Sequence, residues 1–267
     1  MRQFIAETYP DSRGILRLKG KDYRYFRQVL RVKSGDMIAV RLPDGKLQNM
    51  TVCFVEENAR FLEMQVCASL SEGDAAETIT RGTQASSVFA SHLNCWLFQF
   101  AAKSSKMDII IRQAVECGVS RIIPVIGEYS QKENCKHSPT RIDRIERIIK
   151  EARQQSGSPV ETVCMEPVSL KDALSLWKEQ NFTDSLTVAL YERTEDTKEL
   201  NSLVTGDKTV KNVGIAVGSE GGISPSEIEI LKESGFLPIH FETNILRCET
   251  AALYGIAAIQ TLILGKK

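Results

Sequence analysis

Short apolar runs separated by turn signals fill residues 1–70, whereas beyond residue 84 apolar strands alternate with amphipathic helices. In the first region, Lys33-Ser34-Gly35-Asp36 and Pro43-Asp44-Gly45 bracket a strand over residues 37–42, and further strands are expected over residues 50–55 and 60–67. Gly, Ser, Asp and Glu crowd the segment that follows, so residues 71–83 read as a linker. After it, apolar runs at 95–100, 121–126, 161–165, 186–191, 213–217 and 236–241 predict six strands. Between them, Ser104 or Ser105 can cap a helix that stops at Gly118, and Ser138-Pro139 opens another that ends near Gly157. Ser224-Pro225-Ser226-Glu227 combines an N-cap serine, a proline at the first helical position and a glutamate placed for a capping box. Strands separated by helices at this spacing imply an α/β fold with a mostly parallel sheet covered on both faces, over residues 84–267.

Charge changes the picture only through its distribution, because 34 basic and 34 acidic residues cancel. Between Arg13 and Lys33 eight basic residues stand against one acid, Asp22. A helix is expected over residues 21–32, with Arg24, Arg27 and Arg31 sharing one face beside an apolar stripe of Tyr23, Phe26 and Leu30. Such a guanidinium row suits RNA phosphates, and a solvated surface face is the plainer alternative. The 7 cysteines form no close pair with metal-ligand spacing, so no metal is expected. Scattered cysteines, no apolar run long enough to span a bilayer and no secretory signal point to a cytoplasmic protein without a membrane partner. His92, His137 and His240 lie in no nucleophile motif.

Two segments can carry chemistry. Val217-Gly218-Ser219-Glu220-Gly221-Gly222 lies between a buried strand and a capped helix, where glycines let a ligand approach the backbone outside the carboxyl end of a parallel strand. It is neither the dinucleotide fingerprint nor a phosphate-binding P-loop, and a tight strand-to-helix turn would look the same. Asn244-Ile245-Leu246-Arg247-Cys248-Glu249-Thr250-Ala251 sits at the entry to the C-terminal helix, where backbone N–H groups are free to bind a ligand. There Glu249 could equally be a carboxylate favoured by the helix dipole.

These segments, with three others, resemble the RsmE family of ribosomal RNA methyltransferases across essentially the whole chain. The others are Met1-Arg2-Gln3-Phe4 with Val29-Leu30-Arg31 and Lys33-Ser34-Gly35-Asp36, the run from Lys103 to Val119, and Glu151-Ala152-Arg153-Gln154-Gln155-Ser156-Gly157. The resemblance implies a PUA-like β-barrel at residues 1–70 that binds RNA. It also implies a knotted (trefoil) SPOUT methyltransferase domain and a homodimer. The implied activity is transfer of a methyl group from S-adenosylmethionine to N3 of a uridine in 16S rRNA of the small ribosomal subunit. Carried over by position, Leu190, Tyr191, Gly218, Glu220, Gly221, Gly222, Ile245 and Leu246 would hold S-adenosylmethionine, and Arg247 and Glu249 would serve catalysis. Arg24, Arg27, Arg31, Lys103 and Arg153 would contact RNA.

Four positions depart from the family pattern. Ser219 stands for a usual proline, Glu242 and Asn244 for a glycine and an arginine, and Ser158 for an arginine. The first is expected to loosen its loop, since proline restricts the chain and serine does not. Two alternatives therefore stay open at this stage: a SPOUT methyltransferase acting on another RNA, and a catalytically degenerate RNA-binding ribosome assembly factor.

Overall fold

The computed structural model describes residues 3–67, 93–130, 138–193, 197–200 and 209–265. The expected linker at 71–83 lies outside them, as do His92, Cys135 and His137. The described residues fall into two compact units, residues 3–67 with Arg153–Pro159, and the remainder.

The first unit is built on a five-stranded sheet of β1 (Phe4–Ile5), β2 (Ile15–Lys19), β3 (Met37–Arg41), β4 (Leu47–Glu56) and β5 (Phe61–Val66), in the order β1-β3-β4-β5-β2. Only the β1–β3 pair is parallel. Alternate side chains face one core, in which Phe4, Phe26, Met50, Leu62 and Met64 are fully buried. Gln3 extends this unit to the segment at 153–159: its side-chain amide donates to the carbonyls of Arg153 and Ser158 at 2.9 and 3.0 Å.

The helix expected over residues 21–32 is shorter and changes pitch. α1 (Gly20–Arg24) passes into one wide π-turn over Tyr25–Val29, closed by Leu30 N–H donating to the Tyr25 carbonyl at 3.1 Å. Arg31 then takes a left-handed φ of 55°, outside the helix. Arg27 turns back, donating to the Val32 carbonyl at 2.7 Å and pairing with Glu57 at 2.5 Å. The widened turn buries Tyr23 and Phe26 on one side of the segment and breaks the regular spacing that would have aligned the three arginines. They do not form one helical face.

The second unit is an all-parallel sheet running β11-β13-β10-β12-β6-β7-β8, with β9 also on β7. Its strands are β6 (Asn94–Phe100), β7 (Arg121–Ile126), β8 (Val163–Cys164), β9 (Val168–Ser169), β10 (Ser185–Leu190), β11 (Lys198–Glu199), β12 (Asn212–Val217) and β13 (Leu237–His240). The central strands are buried on both faces, as their unbroken apolar runs require. On one face α2 (Ser104–Glu116), α3 (Pro139–Ser156) and α6 (Cys248–Leu264) cover a core that includes Ile110, Ile148, Ile215 and Ile256. On the other, α4 (Leu170–Lys178) and α5 (Pro225–Glu233) cover Trp96, Phe98, Trp177 and Phe236.

Several local expectations change. The strand expected over 161–165 is reduced to two residues, with Pro167 separating it from β9. Neither Ser104 nor Ser105 caps α2. Lys103 occupies that position, and both serines fall in the first turn. α4 was not anticipated, although Ser169 caps it through the Asp172 N–H. The box at Ser224 and Glu227 forms in full, and the Glu227 carboxylate also accepts from Glu128 N–H at 2.6 Å, tying α5 to the loop after β7. Among the described residues no helix is long and apolar enough to cross a membrane.

Candidate functional site

Three neighbouring strands, β13, β10 and β12, end at the same edge of the sheet, and the loops that leave them enclose a cavity of about 450 Å³. The loop after β10 contributes Leu190, Tyr191 and Glu192; the loop after β12 contributes residues 218–222. The segment after β13 contributes Phe241, Thr243, Asn244, Ile245, Leu246 and Arg247. α6 then begins at Cys248, and Lys106 on α2 completes the wall. All of this lies within the second unit.

The glycine loop is folded on itself. Ser219 and Gly222 form an isolated antiparallel bridge, with Gly222 N–H donating to the Ser219 carbonyl at 3.0 Å. A Cβ on Gly218 would lie 2.7 Å from Gly222 Cα, so the loop closes only because residue 218 has no side chain. At Gly222 the φ of 80° is one that L side chains rarely adopt. Buried Gln99 holds the entry to the loop by donating to the Gly218 carbonyl at 3.0 Å and the Val217 carbonyl at 3.3 Å. Ser219 is buried, and its hydroxyl reaches the Tyr129 carbonyl and the Gly221 N–H, both at 3.4 Å.

Arg247 is the N-cap of α6, exposed, with extended backbone, and it lines the cavity. Glu249 stands in the first turn, accepts from the Cys248 thiol at 3.3 Å and forms an ion pair with the Lys106 ammonium at 3.5 Å. Burial works against its ionisation. Its own backbone N–H, the Cys248 thiol and Lys106 outweigh that and hold the carboxyl below its ordinary range. Cys248 is affected in the opposite sense, since burial and the neighbouring carboxylate push its thiol up to about 12. Farther along α6, a Cβ on Gly255 would meet Leu190 Cδ1 at 2.5 Å, so the helix passes close against the end of β10.

Of the residues singled out from sequence, Leu190, Tyr191, Gly218, Glu220, Gly221, Gly222, Ile245, Leu246 and Arg247 all line this one cavity. Glu249 stands just behind it, reached through Lys106. Exposed Lys103 caps α2, and its N–H donates to Glu220 Oε1 at 3.2 Å. Arg24, Arg27, Arg31 and Arg153 belong to the other unit, where Arg153 is half-buried beside Arg41. Sequence reasoning missed Lys106, Glu192 and Gln99. Lys106 follows Lys103 by one helical turn, a spacing that offered a signal, but Gln99 inside an apolar strand carried none. Among the described residues no three His, Cys, Asp or Glu side chains gather as a metal-binding group.

Residues 90–260 match the family model for an RNA methyltransferase domain. The chain is 36% identical to ribosomal RNA small subunit methyltransferase E of Aquifex aeolicus, over 95% of this chain and 96% of that one. It is 28% identical to ribosomal RNA small subunit methyltransferase E 2 of Borreliella burgdorferi, over 98% of each. Its fold matches the crystal structure of the Neisseria gonorrhoeae ribosomal RNA small subunit methyltransferase E bound to S-adenosyl methionine, with a TM-score of 0.74 at 23% identity and 98% coverage of both chains. With a full-length relative at this identity and the domain match spanning the unit that holds the cavity, the chain belongs to the ribosomal RNA small subunit methyltransferase E family.

Proposed function

We propose that the protein transfers a methyl group from S-adenosylmethionine to N3 of a uridine in 16S rRNA of the small ribosomal subunit. The observation that carries this reading is the single cavity into which the glycine loop, the end of β10 and the segment before α6 converge. Its volume falls within the range of small-molecule sites, roughly 300–1,000 Å³. Its lining suits a nucleoside carrying a charged tail, with apolar Leu190, Ile239 and Leu246 beside Glu192, Glu220, Lys106 and Arg247. A glycine-rich loop exposes backbone groups for hydrogen bonds to such a ligand.

In this reading Leu190, Tyr191, Gly218, Glu220, Gly221, Gly222, Ile245 and Leu246 hold S-adenosylmethionine. When bound, it supplies an electrophilic methyl group on a sulfonium. The chain's own task is positioning, because in-line displacement needs reactants held in line. Attack by N3 requires loss of the imide proton, passed to solvent water, which leaves negative charge on the uridine carbonyls. Arg247, exposed and lining the cavity, is the residue to stabilise that charge. A carboxyl held below its ordinary range is a poor base, so the role that fits Glu249 is to fix the turn that carries Arg247. The target base would have to be splayed out to reach the cavity.

The same reading makes the first unit, with its five-stranded sheet, a PUA-like RNA-binding barrel at residues 1–70, joined through a linker at 71–83 to a catalytic domain at 84–267. Arg24 and Arg31 on that unit and Lys103 on the catalytic domain, all exposed, are the RNA contacts. Arg27 and Arg153, each half-buried, are the weaker members of that set. The passage of α6 against Leu190, beside strands whose loops share one cavity, fits a trefoil knot. α6 carries apolar residues nearly all round, which supports burial of its outer side in a homodimer. A cytoplasmic location follows from the ribosomal substrate. The test is mass-spectrometric mapping of methylated uridines in small-subunit RNA from cells with and without the protein. A uridine that loses its N3 methyl group on deletion and regains it on complementation is the expected result; an unchanged map refutes the reading.

A further inference from the structure

Lys106 lies in the first turn of α2, with its side chain three-quarters buried. Its ammonium stands 3.7 Å from Glu220 Oε1 and 3.5 Å from Glu249 Oε2. One cation thus joins two carboxylates that come from separate segments, the glycine loop after β12 and the first turn of α6. Among the described residues it is the only cation paired with either. Their other recorded side-chain or cross-segment partners are uncharged: the Lys103 N–H on Glu220 and the Cys248 thiol on Glu249. Without the ammonium, two carboxylates would share one partly buried wall with no paired cation, which favours their separation.

We propose that Lys106 is a positioning residue that clasps the glycine loop to the start of α6, closing the cavity and setting where Arg247 stands. The proposal rests on the reading of that cavity as the S-adenosylmethionine pocket. Two segments that must sit together to bind a ligand bind it more weakly when they are free to part, because association must then also order them. Arg247 makes no capping bond of its own, and the charge that anchors its turn is Glu249, two residues on. The clasp therefore acts on affinity through Glu220 and on turnover through Glu249. The charged and titratable groups facing Lys106 are Glu220 on the loop, and Glu249 and the Cys248 thiol on α6.

The experiment compares the full-length protein with Lys106→Met, which keeps the apolar stem, and Lys106→Arg, which keeps the charge. Calorimetry with S-adenosylmethionine, single-turnover methylation of small-subunit RNA, and a 13C NMR titration of the Glu249 carboxyl are read for each. We expect Lys106→Met to weaken S-adenosylmethionine binding by about fivefold or more and to slow transfer in the saturated complex, with Lys106→Arg recovering much of both. Glu249 should titrate at higher pH in Lys106→Met than in wild type, a shift that a purely packing role would not produce. Wild-type affinity and turnover in Lys106→Met, or an unmoved Glu249 titration, would overturn the clasp. If the wild type binds no S-adenosylmethionine, the reading of the pocket fails, while the Glu249 titration still decides the clasp.

Discussion

Gly218 and Gly222 meet backbone to backbone: a Cβ on Gly218 would stand 2.6 Å from the carbonyl carbon of Gly222 and 2.7 Å from its Cα. The need for glycine at this point comes from the loop's own closure, before any ligand enters. Gly218→Ala must therefore push residue 222 away and open the bridge between Ser219 and Gly222. The expected cost is about 1–3 kcal/mol of stability, by analogy with overpacking. S-adenosylmethionine affinity should fall at least about tenfold, since the displaced residues line the cavity. Denaturant unfolding and calorimetry on the same variant check both. An alanine variant that binds like the wild type would show that this loop is not part of the pocket.

Arg247 and Glu249 are two residues apart but are held differently, so their substitutions should separate. Arg247→Ala removes an exposed side chain with no capping bond, and stability should hardly change. If the guanidinium acts on charge that develops only during transfer, turnover should fall about a hundredfold while S-adenosylmethionine affinity stays within about threefold. Equal losses in both would assign Arg247 to cofactor binding.

How much of this site the chain announces depends on how local its causes are. Ser224-Pro225-Ser226-Glu227 specifies its own helix start, and the capping box forms as the spacing requires. The apolar runs of β6, β10 and β12 needed only burial on both faces to be read as parallel strands. The nine-residue α4 was missed although its Ser169 and Asp172 carry the same local logic, because so short a helix shows little periodicity. The π-turn after α1 depends on which aromatic residues reach the core, and spacing alone reads it as regular helix. Lys106 and Glu220 are 114 positions apart, and only the assembled sheet brings them together.

The electrostatics of Glu249 give a pH dependence with a definite sign. Its folded carboxyl titrates below its ordinary value of 4.5, so its ionised form favours the folded state. That contribution is fully present above the ordinary value and is lost as pH falls through the lower folded one. The stability difference between wild type and Glu249→Gln should be constant from about pH 8 to about pH 5 and shrink below that. Chemical unfolding at a series of pH values measures it. A difference that grows on acidification would mean that burial, and not Lys106 and the thiol, dominates at this carboxylate.

The basic segment of the first unit makes the last prediction, and the structure changes its form. Arg24 and Arg31 are exposed and make no recorded hydrogen bond or ion pair among the described residues, whereas Arg27 is committed to the Val32 carbonyl and to Glu57. A triple substitution would thus mix lost RNA contacts with a damaged fold. Arg27→Ala alone should cost stability, about 1 kcal/mol from a half-buried side chain bonded to a backbone carbonyl. Arg24→Ala with Arg31→Ala should leave stability unchanged. If both reach phosphates, that pair should flatten the slope of log affinity for RNA against log salt by about 1.4 to 1.8, because each phosphate contact contributes about 0.7 on a single strand and about 0.9 on a duplex. S-adenosylmethionine should bind this variant as it binds the wild type, since neither arginine lines the cavity. A salt titration of RNA affinity for wild type and double variant decides the matter. Parallel lines would mean that these two arginines are solvated surface charges, and RNA anchoring would have to be sought on another face of the barrel.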